Sequence, residues 1–264
     1  MVIRLRVAGV TLALREARAG PPLPRELRAF AARSGGDIRL KVVRSPLPEP
    51  RPGSLLFDSG GLWRVHRHPR GLLYVFGEPV PGARPYKAML VDRRWREGVL
   101  YVPPAGSPGA RRPLLDYPLD ELLFQHHVAR RDGLEVHACG VVVGGRVALL
   151  CGASGAGKTT MARLFRRHRR GTLVLSDDRV ILRARRGTFW AYGTPWHGSA
   201  RFASPEGRRL GAVLFLDQSR ESSLRRLGRT EAAARLYAGS FPPPWDEASI
   251  GRALDVCEIG RAHV

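Results

Sequence analysis

Apolar and polar positions alternate or cluster in short runs along the first part of the chain. Val2 to Val7 alternates, and Leu55 to Asp58, Leu62 to Arg67, Leu72 to Phe76, Ala88 to Asp92 and Val99 to Val102 are brief apolar or alternating stretches separated by Pro and Gly. One short helix is expected over Arg25 to Arg33. This pattern predicts a small, mainly antiparallel β domain over residues 1–113, closed by the Pro/Gly-rich stretch Pro103 to Pro113 (PPAGSPGARRP). The pattern then changes. Tyr117 to Arg131 has Pro118 near its start, acids at 120 and 121 and arginines in its last turn, the signature of a helix that Gly133 ends.

Two apolar runs follow, Leu134 to Val143 and Arg146 to Cys151, joined by Gly144-Gly145 as a hairpin. Thr159 to His168 has Met161, Leu164 and Phe165 at helical spacing, and Thr172 to Leu175 is a short strand running into Ser176-Asp177-Asp178. Val180 to Arg185 and Thr188 to Tyr192 read as strands turning at Arg186-Gly187. Leu210 to Asp217 is a buried strand, and Leu224 to Tyr237 and Asp246 to Val256 are helical. The expectation for residues 114–257 is therefore an α/β domain with a mixed sheet. Ile259 to Val264 (IGRAHV) reads as translated sequencing adapter, so residues 258–264 are expected to be an artefact and the natural domain to continue past about Cys257.

Between the second hairpin strand and the helix lies Gly152-Ala153-Ser154-Gly155-Ala156-Gly157-Lys158-Thr159, which fills the G-x-x-x-x-G-K-[ST] template at every position. Glycines let the backbone curl until its N–H groups converge on phosphates. Lysine reaches the outer phosphates, and the threonine hydroxyl is a ligand for Mg²⁺. Strand, loop and helix come in the order the motif requires. An apolar strand ending in carboxylates beside such a loop is where a nucleotide-bound Mg²⁺ finds its acid.

Composition changes this picture little. The 264 residues are 44% hydrophobic and 25% charged, with a formal net charge of +21. Such a charge raises the question of nucleic acid or an anionic membrane. The charge is almost all arginine, in short runs without interleaved aromatics, so a solvated basic face is expected, with no nucleic-acid or membrane partner. Of the 44 basic residues only Lys41, Lys87 and Lys158 are lysine, which suggests that position 158 needs a compact ammonium. Cys139, Cys151 and Cys257 form no C-x-x-C pair and read as small buried hydrophobes. His66 and His68 face the same way on a strand, but no third metal ligand accompanies them. Neither a signal peptide nor an apolar run of the ~20 residues needed to span a bilayer is evident, and a cytoplasmic location is expected.

The segment His137-x(14)-GASGAGKT-x(17)-Asp177-Asp178-Arg179 resembles the catalytic domain of bacterial HPr kinase/phosphorylase, with Ser176 to Val180 matching that family's A/S-D-D-R-V segment. In layout the chain is similar to the shorter HPr-kinase-like proteins encoded beside peptide-modification enzymes, some of which phosphorylate a serine of a lasso peptide. The resemblance spans roughly Leu134 to Leu182, with the Leu55 to Trp63 stretch and the YPLDELL helix also like the shorter group.

The resemblance implies a P-loop kinase fold of the HPr-kinase and phosphoenolpyruvate-carboxykinase type, with ATP and Mg²⁺ as cofactors and a serine-containing peptide or small protein as acceptor. Its larger relatives are hexameric, so a homo-oligomer is compatible with it. Residues 152–160, Thr160 included, would contact nucleotide, and Thr159 with Asp178 would hold the metal. Asp177 and Asp178 would share base and metal duties, Lys158 would neutralise phosphate charge, and His137 would contact the transferred phosphate. A strand histidine also serves as a hydrogen-bonded core residue, and two carboxylates after a strand also make a turn. The later Arg-Gly-Leu-Gly signature used in phosphorolysis has no counterpart; Trp196-His197-Gly198 occupies about that region. Phosphate-driven reversal is therefore not implied. A nucleotide-binding switch that transfers nothing, serving a peptide-modification system, is the other expectation.

Overall fold

The computed structural model describes residues 1–17, 22–78, 80 and 83–258, so the expected adapter tail beyond Glu258 lies outside the described residues. The chain is mixed α/β, with two mixed sheets and few helices, and it divides into two compact units. The first comprises Met1–Arg6 and Val10–His127; the second comprises Val7–Gly9 and the chain from Val128 onward.

The first unit is built on an eight-stranded sheet. In chain order its strands are β1 (Val2–Val7), β2 (Val10–Arg15), β3 (Ile38–Arg44), β4 (Leu55–Asp58), β5 (Trp63–His68), β6 (Gly71–Phe76), β7 (Lys87–Val91) and β8 (Glu97–Val102), arranged β1-β2-β3-β8-β7-β6-β5-β4. Strands β4 to β8 form an antiparallel meander. The expected antiparallel character fails at β3, which pairs in parallel with both β2 and β8. Strands β2 and β3 escaped the sequence reading because a polar residue interrupts Val10–Arg15 and basic residues interrupt Ile38–Arg44, yet β2 is buried from Val10 to Leu14 and β3 at alternate positions. The expected short helix is a 3₁₀ turn over Arg25–Phe30 that buries Leu27 and Phe30.

The division between units falls at His127, fourteen residues beyond the Pro/Gly stretch expected to end the first domain. Polar contacts explain the shift. Lys87, 1% exposed, donates from Nζ to the carbonyls of Pro113 (2.8 Å) and Leu114 (3.2 Å) and pairs with Asp116, which ties that stretch to β7. Most of helix α1 (Leu119–Ala129) follows: His126 Nδ1 lies 3.1 Å from the Tyr74 hydroxyl, and His127 Nδ1 donates to the Trp95 carbonyl at 2.7 Å. Burial pushes the Lys87 ammonium below its ordinary value, and the Asp116 charge opposes that shift.

His66 and His68 have separate partners, the Ser54 hydroxyl (3.3 Å) and the Arg70 N–H (3.2 Å). Among the described residues no group of three or more His, Cys, Asp or Glu could hold a metal ion, and no helix is long and apolar enough to cross a membrane.

The second unit holds β9 (Gly133–Val143), β10 (Arg146–Cys151), α2 (Lys158–His168), β11 (Val174–Ser176), β12 (Arg179–Arg185), β13 (Thr188–Gly193), β14 (Gly207–Phe215), α3 (Arg229–Ala238) and α4 (Glu247–Cys257). Its sheet runs β10-β14-β13-β12-β9-β11, and β9 also pairs with β10, so the first five strands close a ring of pairings. The ring closes because β9 and β14 are each long enough to pair with two different ring strands along their length. The first half of β9 pairs with β12 and the second with β10. The start of β14 pairs with β13 and the rest, in parallel, with β10.

Alternation sends Leu134, Val136 and Ala138 of β9 into one core with Leu236 of α3 and Ala253 and Val256 of α4. Cys139 and Val141 enter a second core with Leu150 and with Ala162 of α2. Both faces are covered, so β10 reads as a continuous apolar run instead of alternating. Each buried Leu or Val among them contributes about 1.5–3 kcal/mol relative to exposure. The three cysteines are buried as expected, and burial pushes each thiol up to about 12.

Candidate active site

The glycine loop sits where two parallel strands end side by side. β10 and β14 run in register to Cys151 and Phe215, and the Leu216 N–H then donates to the Cys151 carbonyl at 2.8 Å. Chain reversal begins at once. Gly152 has φ 152°, and a Cβ there would stand 2.9 Å from both the Leu216 carbonyl oxygen and the Ala156 side chain, so a larger residue would push the loop off β14. Gln218 reaches back to donate to the Gly155 carbonyl at 3.1 Å. Gly157, at φ 100°, turns the chain into α2.

Lys158 is the first residue of α2 and is 6% exposed. Its ammonium donates to the carbonyls of Gly152 (2.7 Å) and Ala153 (2.9 Å), folding across the mouth of the loop. Burial lowers its affinity for its proton, and the nearby Asp178 charge works against that shift. Among the described residues these two carbonyls are the hydrogen-bond partners of the ammonium. At Gly155 and Gly157 a Cβ would meet open space.

His137, Asp178 and Arg179 come together because β9 and β12 pair. Arg179 stands opposite His137 in the antiparallel register, and the Ala138 N–H donates to the Asp178 carbonyl at 3.0 Å. His137 Nδ1 lies 2.8 Å from Asp178 Oδ1, and an Arg179 nitrogen 2.9 Å from Asp178 Oδ2. Burial pushes the Asp178 carboxyl up, but the hydrogen bond from His137 and the charges of Arg179, His137 and Lys158 outweigh it and hold it below the usual carboxylate value. Asp178 is thus an ionised, half-buried carboxylate with Lys158 in electrostatic reach.

Asp177 has other work. Only 3% exposed, it accepts N–H bonds from Gly198 (3.0 Å) and Phe202 (3.2 Å) on Oδ1 and from Ala200 (2.8 Å) on Oδ2. The two aspartates expected to share base and metal duties have different partners in the structure. Asp177 anchors the segment 198–202, and the Asp178 charge bears on Lys158. Replacing Asp177 by Asn puts an N–H donor against one of these amides. We expect a destabilisation of about 1–3 kcal/mol, read as a lower melting temperature, and faster hydrogen exchange at Gly198, Ala200 and Phe202. Unchanged exchange at those three amides would refute the anchoring role.

Two supports were invisible in sequence. Residues 239–241, after α3, line the edge of β9: the His137 N–H donates to the Gly239 carbonyl at 2.7 Å and the Phe241 N–H to the Glu135 carbonyl at 3.0 Å. The Phe241 ring lies 4.4 Å from the Arg179 guanidinium and holds it toward Asp178. The segment 198–202 is the other; its only sequence signal was the Trp196-His197-Gly198 cluster.

A family model described as SynChlorMet cassette protein ScmC matches residues 121–255, just over half of the chain. The chain belongs to that family. The matched stretch takes in the glycine loop, His137, Asp177, Asp178 and Arg179, together with α2 to α4 apart from the last residues of α4. A search of curated proteins finds no match.

Proposed function

We propose that this chain is a P-loop kinase of the HPr-kinase-like type that transfers the γ-phosphoryl group of ATP to a hydroxyl, a serine on a small peptide or protein. The observation that carries this reading is the convergence of Lys158 on the glycine loop with the His137-Asp178-Arg179 cluster, close enough for the charges of Lys158 and Asp178 to couple.

The residues fit Mg·ATP. The loop 152–157 and the first N–H groups of α2 offer convergent donors to phosphates, and Lys158 exchanges its two carbonyls for phosphate oxygens. The protein side of a metal site would be the Thr159 hydroxyl and the Asp178 carboxylate. So small a set suits Mg²⁺, which keeps water and phosphate as its other ligands. Bound there, the ion would draw off negative charge as it develops on the phosphates.

In the reaction, Asp178 accepts the proton of the acceptor hydroxyl and is held in place by His137 and Arg179. The acceptor oxygen bonds to phosphorus as the bond from phosphorus to the bridging oxygen breaks. ADP leaves with that electron pair, and the proton passes from Asp178 to water. Lys158 and Arg179 bear on the transferring charge. The family is described as a cassette protein, so peptides encoded alongside the gene are the first acceptors to try.

One observation favours a second reading, a nucleotide-dependent switch without transfer. With Asp177 engaged by three backbone amides, Asp178, itself paired with His137 and Arg179, is the one carboxylate left to the site, which is enough to bind a metal nucleotide. Mass spectrometry of serine-bearing peptides encoded beside the gene, incubated with Mg·ATP and the protein, separates the two. A mass gain of one phosphoryl group on serine supports the kinase. Nucleotide binding with no gain on any of these peptides leaves the switch.

A further inference from the structure

We infer that the acceptor is an acidic segment and that it runs from Asp178 across residues 198–202 onto an arginine stripe on the outer flank of α2. This inference rests on the proposed kinase reading and specifies its substrate class.

The stripe follows from helix geometry. Lys158, Ala162 and Phe165 of α2 turn toward the sheet, and Arg166, Arg163 and Arg167 follow one another around the adjacent flank, all exposed. Arg163 and Arg167 are four residues apart, a like-charge pair that disfavours the helix. The helix dipole compensates charges in the last turn, Arg166 and Arg167, but not Arg163. α2 has no acidic residue in its first turn or anywhere else. Among the described residues no carboxylate pairs with Arg163, Arg166, Arg167 or Arg201. Arg130, Arg179, Arg183 and Arg235 each hold an Asp; Arg185 and Arg186, like the stripe, have no carboxylate among the described residues, and what sets the stripe apart is its place beside the segment 198–202.

The stripe is continuous with the site. Arg166 lies 5.2 Å over the Phe202 ring, and the Phe202 N–H is one of the three that Asp177 holds. At the other end of that segment, a Cβ on Gly198 would stand 3.4 Å from the Asp178 Cβ. Between them Arg201 is exposed, at φ 56°, with its N–H donated to the Gly198 carbonyl. A chain whose serine reaches Asp178 along this segment therefore lays its neighbouring residues over Arg201 and then over Arg166, Arg163 and Arg167. Carboxylates at those positions meet four positive charges that no protein carboxylate neutralises.

The test uses two fluorescein-labelled peptides of equal length, each with one serine, flanked by glutamates in one and by glutamines in the other. Anisotropy is read at about 0.15 M salt. The glutamate peptide should bind and the glutamine peptide should bind more weakly. Arg163→Glu/Arg167→Glu should weaken the glutamate peptide by about tenfold or more. Arg185→Glu/Arg186→Glu, the same charge change at the opposite end of β12 from Arg179, should weaken it by less than about twofold.

Equal weakening by the two double variants would mean net charge alone and would overturn the inference. So would failure of the glutamate peptide to bind, or a stripe reversal that abolishes binding to phosphatidylglycerol vesicles or duplex DNA while sparing the peptide. Lys158→Ala should lose nucleotide and keep the peptide. If the peptide binds as expected and is not phosphorylated, the acidic surface stands and the transfer reading falls.

Discussion

Asp178→Asn is expected to lower phosphoryl transfer by about 10²–10⁴-fold, the contribution of a positioned general base. The substitution preserves shape and leaves the Oδ1 acceptor for His137 Nδ1, and Arg179 keeps its contact with the Phe241 ring, so the fold should survive. Initial rates at saturating nucleotide, with melting curves of both proteins alongside, make the measurement. A variant that transfers at the native rate would remove Asp178 from the reaction.

The pH dependence carries the same signature. Because the Asp178 carboxyl is held below its ordinary value, it is ionised throughout roughly pH 6–8 and contributes no limb to the rate profile there. Its stabilising pairing with His137 and Arg179 is present above the ordinary carboxylate value and is lost as pH falls through the depressed one.

Lys158→Ala should weaken binding of Mg·ATP by about 10²-fold, corresponding to one or two charge-assisted hydrogen bonds of about 1.5–3 kcal/mol each. The fold should tolerate the change, since alanine is a good residue for a first helical turn and the two carbonyls that lose the ammonium border the open side of the loop. Lys158→Arg should not restore affinity. At 6% exposure there is no room for a planar fork where a point charge sits under two carbonyls. Titration with a fluorescent ATP analogue reads all three proteins, and an alanine variant that binds as tightly as the native chain would end the nucleotide reading.

The elements around the loop were legible because their signals are local. β10, α2 and the β12–β13 hairpin emerge where apolar runs, glycines and helical spacing place them, since both faces of the sheet are buried and the loop needs left-handed glycines. β2 and β3 were missed because their stability comes from partners far along the chain, and only the finished sheet shows that Leu12, Leu14, Ile38 and Leu40 face inward. The Pro/Gly stretch looked like a boundary by composition. It belongs to the first unit because the buried Lys87 ammonium needs its carbonyls. That contact also qualifies the lysine argument: in an arginine-rich chain, two of three lysines mark places where a compact ammonium must fit among carbonyl oxygens, one in the loop and one in the core of the first unit.

By itself the sequence determined the tight glycine turn at residues 152–159 and the types of group close behind it, because such a turn is made by consecutive residues whose backbone freedom is written into their identities. Only the tertiary structure decided how two adjacent aspartates divide their work. Successive side chains leave the backbone in different directions, so Asp177 met the amides of residues 198–202, some twenty positions away, while Asp178 met His137 across a strand pairing. Neither encounter is encoded near residue 177, because each depends on which strands close the ring.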